Sequence, residues 1–309
     1  MGNKADFVIE VENLVKSYGS IKAVAGISFQ VNRGEIFGML GPNGAGKTTT
    51  VEIIEGLRSP DDGKVTVLGM NALQDVNAIK ERIGVQLQAP ALFPILNVKE
   101  IINVFSSLYK KSIPSEEVLR MVSLDESQKV LVKNLSGGQQ QRLSVALAFV
   151  NDPDIVFLDE PTTGLDPQAR RAMWDVIAGF RKKRKTIFLT THYMEEAERL
   201  CDRVAIMDHG KIIALNSPEH MIEEHFEDSA IQFKMAVLPE EQILASLTGV
   251  THLLTDGDEV TLYSNNIPTT ISSLLALSLT MNTQISNLFV RQSSLEDVFL
   301  KLTGKRIRD

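Results

Sequence analysis

A glycine-rich loop between an apolar run and a helical segment is the feature that most constrains how this chain can fold. The apolar run is Ile36–Leu40, and it is followed by the loop Gly41-Pro-Asn-Gly-Ala-Gly46-Lys47-Thr48-Thr49 and then by apolar residues at helical spacing. A strand that leads through such a loop into a helix is the context of a phosphate-binding loop. The alternative is a flexible glycine turn before an ordinary helix. It is disfavoured because the pattern arises by chance in roughly one chain of this length in a hundred.

Each residue type in this loop suits a polyphosphate. Glycine lacks the Cβ atom that would keep the backbone from wrapping an anion, and backbone N–H groups at a helix N-terminus favour negative charge. Lys47 offers a mobile cation to the β- and γ-phosphates, and the Thr48 hydroxyl suits a Mg²⁺ ligand. The loop therefore predicts a nucleotide site, whose predicted nucleotide contacts are Gly41, Asn43, Gly44, Gly46, Lys47, Thr48 and Thr49.

A second glycine pair stands at the start of another predicted helix, far along the chain from the first. In Leu135-Ser-Gly-Gly-Gln139, Ser136 is a natural N-cap, and Gly137 and Gly138 expose backbone N–H groups at the helix start. Two anion-binding helix starts imply a phosphate that is contacted from two directions.

Two adjacent carboxylates, Asp159 and Glu160, follow the apolar run Asp154–Leu158, which is typical of a buried parallel strand. α/β folds bind ligands at the C-terminal ends of their strands. Neighbouring side chains of an extended chain point to opposite sides, so each acid can address a different partner. We predict that Asp159 holds Mg²⁺, directly or through water, and that Glu160 orients and deprotonates an attacking water. The alternative is a pair of solvated acids that cap the strand.

Three further positions have both a functional and a structural interpretation. Tyr18, beside the early strands, stacks on an adenine base or is an ordinary strand-end aromatic. Asp166, which precedes Pro167, is a candidate helix N-cap. His192 ends the predicted strand Thr186–Thr191 at the same sheet edge as the carboxylates, where it contacts a γ-phosphate or is incidental.

Length and composition limit the class of protein. A chain of 309 residues predicts two domains. No stretch reaches the ~18 apolar residues of a membrane span, and the N-terminus predicts neither a signal peptide nor myristoylation. The single cysteine, Cys201, excludes an internal disulfide, fits a reducing cytoplasm and is predicted to be buried in a helical stretch. The net charge of −7 argues against broad nucleic-acid binding. The basic run Arg181–Lys185 is interpreted as solvated charge at a helix end, with a nucleic-acid patch as the alternative.

In this order, the motifs resemble those of the ATP-binding subunits of ABC transporters. The resemblance covers residues 5 to about 222 and implies an α/β fold: a P-loop NTPase core with an antiparallel β-subdomain and a helical subdomain at about 90–150. It implies ATP and Mg²⁺ as ligands and ATP hydrolysis as the reaction. The predicted ATP-binding domain is therefore 1–222.

The resemblance also implies roles that spacing does not give. Tyr18 matches the adenine-stacking aromatic, and His192 matches the γ-phosphate switch histidine, which joins Glu160 among the catalytic residues. Gln88 matches the glutamine that senses Mg²⁺ and the nucleophilic water, and Gln86 is the alternative for that role.

Other matches imply a dimer. Ser136, Gly137, Gly138 and Gln139 match the signature that closes over the γ-phosphate of the opposite subunit, and Asp166 matches the loop that crosses the dimer interface. The resemblance thus implies that two chains sandwich two nucleotides head to tail. ATP closes this dimer and hydrolysis at Glu160 reopens it.

From about residue 226 the strand-helix pattern restarts and predicts a small α+β domain at 226–309. Its predicted helices are 239–248, 267–278 and 294–302, and its predicted strands are Ile231–Val237, Val250–Thr255, Val260–Tyr263 and Ile285–Val290. Similar extensions, ending in a segment comparable to Ser294-Leu-Glu-Asp-Val-Phe299, occur in ATPase subunits of drug- and antibiotic-exporting bacterial transporters.

The favoured hypothesis is an ATPase that docks on a separate membrane permease at the inner face of the cell membrane and powers an exporter. A soluble ABC-type ATPase that acts on ribosomes or DNA is the first alternative. The second is a nucleotide-gated assembly module whose C-terminal domain binds the partner.

Overall fold

A computed structural model describes residues 6–86, 92–226 and 229–304. The chain divides into two units, the first ending at Pro218 and the second beginning at Glu219. The strands and helices of the first unit are β1 (Phe7–Tyr18), β2 (Ile21–Asn32), β3 (Ile36–Leu40), α1 (Lys47–Ile54), β4 (Asp62–Val67), β5 (Met70–Asn71), α2 (Val76–Lys80), β6 (Ile83–Gln86), α3 (Val98–Ser106), α4 (Ser115–Met121), α5 (Gly137–Leu147), β7 (Ile155–Asp159), α6 (Pro167–Lys182), β8 (Thr186–Thr191), α7 (Met194–Leu200), β9 (Arg203–Asp208) and β10 (Lys211–Asn216).

Six strands form the central sheet of the first unit, in the order β10-β9-β3-β8-β7-β6. All neighbours run parallel except β9 and β10. The register pairs Leu40 with Thr191 and Asp159 with Thr190. The C-terminal ends of β3, β8 and β7 therefore lie side by side at one edge of the sheet, where α/β folds bind their ligands.

A second, antiparallel sheet has the order β2-β1-β4-β5. Phe29 of β2 stacks on Phe37 of β3 at 5.4 Å, and Phe37 lies 5.4 Å from Phe188 of β8. These rings belong to one buried cluster, so the two sheets share a hydrophobic core. Burial of apolar side chains of this size is the main stabilising term.

Between β6 and β7 the described chain forms α3, α4, α5 and two short 3₁₀ helices, Asp125–Ser127 and Val132–Asn134. α3 begins with a capping box in which Asn97 and Glu100 satisfy each other's backbone N–H groups. At Gly84 in β6, an added Cβ would overlap the carbonyl oxygen of Ala148, which follows α5. Glycine at this position therefore lets the helical segment approach the central sheet closely.

The second unit begins within α8 (Pro218–His225), whose first residue is the last residue of the first unit. Its remaining elements are β11 (Ser229–Met235), α9 (Glu241–Ala245), β12 (Val250–Asp256), β13 (Glu259–Ser264), α10 (Ile267–Thr280), β14 (Ile285–Arg291) and α11 (Leu295–Thr303). The strands form an antiparallel sheet in the order β12-β13-β11-β14. Leu244 of α9 and Leu274 of α10 pack with Phe233 and Leu262 of that sheet in a separate core. Tyr263, Arg291 and Asp297 are joined by hydrogen bonds, which tie α11 to the sheet.

In the described residues, no helix is both long and apolar enough to cross a membrane. The predicted fold class is confirmed in its α/β core, its antiparallel sheet and its helical segment. Two local predictions differ from the structure. The helix predicted at 239–248 is shorter, Glu241–Ala245. Cys201 is buried as predicted, but it lies just after α7 with an extended backbone.

Candidate active site

The glycine-rich loop joins β3 to α1 and is shaped by close backbone contacts. Gly46 has a left-handed φ of 104° and an added Cβ there would overlap the carbonyl oxygen of Ala23. An added Cβ at Gly41 would overlap the carbonyl oxygen of Met207. Any larger residue at either position would displace the loop, so its path depends on glycine.

The start of α1 offers positive charge without a capping side chain. Gly46 is the N-cap and no side chain bonds to the first turn, so the backbone N–H groups there are open to an anion. The Lys47 ammonium donates to the carbonyl oxygens of Gly41 at 2.7 Å and Pro42 at 3.2 Å, which holds it inside the loop. Burial lowers the pKa of Lys47, while Glu160 and Asp159 oppose that shift.

The remaining loop residues differ in their exposure. Asn43, Gly44 and Thr48 are exposed, and Thr49 is half-buried. Gly41 and Lys47 are buried beside the sheet edge. The loop thus exposes Thr48 and part of its backbone to solvent and buries its cation.

Asp159 is the last residue of β7, and its carboxylate accepts a hydrogen bond from the Thr190 hydroxyl of β8. Burial raises the pKa of Asp159, and the neighbouring Glu160 raises it further. The Thr190 bond and Lys47 act in the opposite direction. A carboxylate with a raised pKa beside a second acid is a position at which an added cation lowers the electrostatic energy.

Glu160 directly follows β7 and has a left-handed backbone, with φ of 49°. Its N–H donates to Thr190, at 3.1 Å from the carbonyl oxygen and 3.2 Å from the hydroxyl oxygen. A non-glycine residue in this conformation costs on the order of 1–3 kcal/mol and persists only where its surroundings hold it. The bonds to Thr190 supply that restraint.

His192 and Thr163 hold the Glu160 side chain. His192 Nδ1 lies 3.4 Å from Glu160 Oε2, and the Thr163 hydroxyl donates to the same oxygen at 3.1 Å. Both the His192 and the Glu160 side chains are only about one-tenth exposed. The hydrogen bond to His192 is the largest influence on Glu160, and the pKa of its carboxyl lies below the usual value despite burial. Glu160 is therefore ionised at neutral pH, as a general base must be.

The structure thus brings Lys47, Asp159, Glu160 and His192 together at one sheet edge. Sequence reasoning had missed the two threonines that orient the acids. Thr190 lies two residues before His192 on β8, and a register between β7 and β8 would have identified it. Thr163 could have been found from its spacing of three residues after Glu160, which suits a turn.

The second glycine motif is a well-formed helix start. Ser136 and Gln139 make a capping box, with Ser136 N–H donating to Gln139 Oε1 at 2.9 Å. Gln139 also donates to the Ser127 hydroxyl at 3.2 Å. Gly137 is exposed, and Gly138 lies against Ala169 of α6. In the described parts of the chain, none of the hydrogen bonds of this motif reaches residues 41–49.

Asp166 caps α6, since its carboxylate accepts from the N–H groups of Gln168 and Ala169, both at 2.9 Å. This is the structural role foreseen for it, and the side chain is also exposed. Tyr18 ends β1 and is 41% exposed, with the guanidinium of Arg58 at 5.4 Å and the Lys16 ammonium at 5.8 Å from its ring centroid. A partly exposed aromatic side chain of this kind suits stacking.

The two candidate glutamines differ in what the structure says of them. Gln88 lies outside the described residues. Gln86 is buried at the end of β6, with its amide nitrogen 3.5 Å from the carbonyl oxygen of Asp159. Gln86 is thus anchored beside the acid pair.

The donors at the site fit Mg²⁺ in type. Thr48 and Asp159 supply a hydroxyl and a carboxylate oxygen, which are hard ligands. The described residues contain no cluster of three or more acid, His or Cys ligands. Mg²⁺ bound with a nucleotide needs no such cluster, because it uses one or two carboxylates together with phosphates and waters.

Comparisons with known proteins place this geometry in a family. The family model described as ABC transporter matches residues 24–163. The chain is 36% identical to the Nod factor export ATP-binding protein I of Ralstonia nicotianae, over 98% of this chain and 95% of that protein. It is 34% identical to the linearmycin resistance ATP-binding protein LnrL of Bacillus subtilis, over 98% of this chain and 100% of that protein.

Solved structures agree. The structure of cbiO1 from Clostridium perfringens, part of the ABC transporter complex cbiONQ, aligns with a TM-score of 0.65 and 27% identity over 71% of this chain and 92% of that one. A dimeric post-hydrolysis state of the ATP-binding cassette MJ0796, bound to ADP and Pi, aligns with a TM-score of 0.61 and 25% identity over 68% of this chain and 98% of that one. The chain therefore belongs to the ATP-binding proteins of ABC transporters and is an ATPase of that family.

Proposed function

We propose that this chain is the ATP-hydrolysing subunit that powers a separate membrane permease, and that the transporter is an exporter. The proposal of ATP hydrolysis rests on the contacts of Glu160 with His192 and Thr163. These contacts hold the ionised carboxylate of Glu160 near Lys47. The names of the relatives support export, since one is a Nod factor export protein and another a linearmycin resistance protein.

Each residue then has a defined task. The loop backbone and Lys47 bind the β- and γ-phosphates of ATP, and Glu160 accepts the proton of the water that attacks the γ-phosphorus. His192 orients Glu160 and contacts the γ-phosphate. Thr48 and Asp159 would hold Mg²⁺, with Gln88 as the predicted sensing residue. When bound, the metal neutralises charge that develops on the phosphates.

The active unit is proposed to be a pair of chains. The exposed helix start at Ser136–Gln139 would contact the γ-phosphate bound by the other copy, and Asp166 would lie at the interface between them. The dimeric state of the MJ0796 cassette supports such a pairing. ATP would close the pair and hydrolysis would reopen it. The protein would work in the cytoplasm, at the inner face of the membrane, where the permease holds it.

The test separates binding from chemistry. Glu160→Gln should bind ATP with unchanged affinity, lose at least about a hundredfold in turnover and accumulate as a closed dimer. Lys47→Ala should weaken ATP binding itself. Glu126→Gln, which removes an exposed acid from a 3₁₀ helix, is the matched control and should behave as the wild type.

Fluorescent-nucleotide titration, phosphate release and size-exclusion chromatography with ATP are the measurements. Sustained turnover in Glu160→Gln would remove this residue as the base. For the partner, the chain should co-purify with an integral membrane protein from detergent extracts of its own cells, and the absence of any such protein would contradict the transport role.

A further inference from the structure

A carboxylate that the proposed reaction does not use lies buried next to the site. Glu196 is on α7, four residues after His192, and its side chain has no solvent exposure. It accepts hydrogen bonds from the Thr162 hydroxyl at 2.8 Å and from the indole N–H of Trp174 at 2.9 Å. Thr162 is also fully buried, and Trp174 is 1% exposed.

These partners belong to three different segments. Thr162 lies two residues after Glu160, Trp174 is on α6, which Asp166 caps, and Glu196 follows the turn that holds His192. The Thr162–Glu196 bond therefore connects the segment that carries the acid to the segment that carries the histidine. It runs beside the Thr163–Glu160–His192 contacts, which join the same two segments within the site itself.

A carboxylate in this position is costly for stability alone. Burial raises the pKa of Glu196, whereas its hydroxyl and indole donors favour the charged form. Buried acids are frequently no more stabilising than apolar residues of the same volume. A role in packing alone would thus be met equally well by an apolar side chain. A hydrogen-bonding role needs an acceptor that reaches both Thr162 and Trp174.

We propose that Glu196 is a positioning residue for hydrolysis. Through Thr162 it holds the segment 160–166 against the turn of His192. This contact positions Glu160 for the attacking water, and it positions Asp166 because Asp166 belongs to the same segment. This inference rests on the roles proposed above for Glu160 and His192.

Thr162→Val tests it, because valine keeps the shape of threonine and removes the hydroxyl. We expect kcat to fall about tenfold, since a hydrogen bond to a carboxylate is lost and small displacements of a catalytic group are costly. ATP affinity and KM should stay within about twofold of the wild type. Thr162→Ser, which restores the donor, should recover most of kcat.

Thr186→Val is the matched control. Thr186 is a fully buried threonine at the opposite end of β8, where its hydroxyl accepts from the N–H of Gly34 at 2.8 Å. This variant should lose stability and keep its kcat. The only tryptophan of the chain is Trp174, so its emission shows directly whether the environment of Glu196 has changed in each variant.

The outcomes are distinct. A wild-type kcat in Thr162→Val would overturn the inference. So would a joint loss of kcat, ATP affinity and native Trp174 emission, because that pattern denotes a merely structural role. Turnover in Glu160→Gln would instead overturn the proposed function, whatever Thr162→Val does. An inactive Glu160→Gln with a fully active Thr162→Val would refute the positioning role alone.

Discussion

Glu55 provides a quantitative test of the electrostatics around the site. It caps the C-terminus of α1 and is only 4% exposed. Burial, and then the charges of Asp159 and Glu52, raise the pKa of Glu55 from 4.5 to about 8. The folded protein therefore keeps a proton on this carboxyl over a pH range in which the unfolded chain has lost it.

The sign of the effect on stability follows from that difference. Between the unfolded pKa of 4.5 and the folded pKa of about 8, the folded state binds more protons, so the free energy of unfolding falls as the pH rises. Each pH unit in this range lowers the free energy of unfolding by about 1.4 kcal/mol. Integrated from pH 6 to pH 8, where the folded group is half ionised, the loss is about 2 kcal/mol. The stabilisation from protonated Glu55 is fully present below pH 4.5 and is lost as the pH rises to about 8.

Glu55→Gln replaces the carboxyl by a neutral amide of the same shape. The free energy of unfolding of the variant, relative to the wild type, should therefore rise by about 2 kcal/mol between pH 6 and pH 8. Urea unfolding followed by Trp174 emission measures this, because Trp174 is buried in the same unit as Glu55. The control Glu126→Gln removes an exposed acid and should show no such change. If the free energies of unfolding of Glu55→Gln and the wild type differ by the same amount at pH 6 and at pH 8, the raised pKa of Glu55 is wrong.

Three further substitutions and one labelling reaction test particular contacts. Gly84→Ala should destabilise the first unit by about 1–3 kcal/mol, because the added Cβ overlaps the Ala148 carbonyl oxygen. Gly179 on α6 has open space around it, so Gly179→Ala should stabilise the first unit by up to about 1 kcal/mol. Urea unfolding measures both changes. Cys201 is buried and its thiol pKa is raised well above the usual value, so a thiol reagent should label it only after unfolding. Asp297→Asn should lower the calorimetric melting temperature of the second unit and leave turnover unchanged, because Asp297 pairs with Arg291 at 2.5 Å and is buried.

The parts of the fold that rest on local patterns could be predicted. The loop at Gly41–Thr49 and the strand that ends at Asp159 have signals within about ten residues, and the parallel-sheet rule places their ends at one edge. The meeting of Asp159, Glu160 and His192 was foreseen on that rule. The roles assigned to these residues remain predictions.

Other features depend on partners that are distant in sequence. The register that sets Asp159 opposite Thr190 is fixed only when β7 and β8 pair. The left-handed backbone of Glu160 also depends on Thr190, so no propensity of glutamate would have indicated it. The acceptor for Thr162 comes from Glu196, more than thirty positions later in the chain. The proposed pairing of two copies would involve a surface that a single chain does not complete, and only the resemblance to a family indicated it.

The strand order of the central sheet also affects how the protein is made. β3, which leads into the phosphate-binding loop, pairs with β8 at Ile187–Thr191 and with β9 at Arg203–Ile206. In a chain that emerges from the ribosome, β1, β2 and β4 can pair once Val67 has been synthesised. The strand that leads into the phosphate-binding loop, by contrast, lacks its neighbour β8 until Thr191 has been synthesised and its neighbour β9 until Ile206 has been synthesised. Such long-range pairing is slow to form. Ribosome-bound chains that end before β8 should therefore carry a folded antiparallel sheet and bind no ATP.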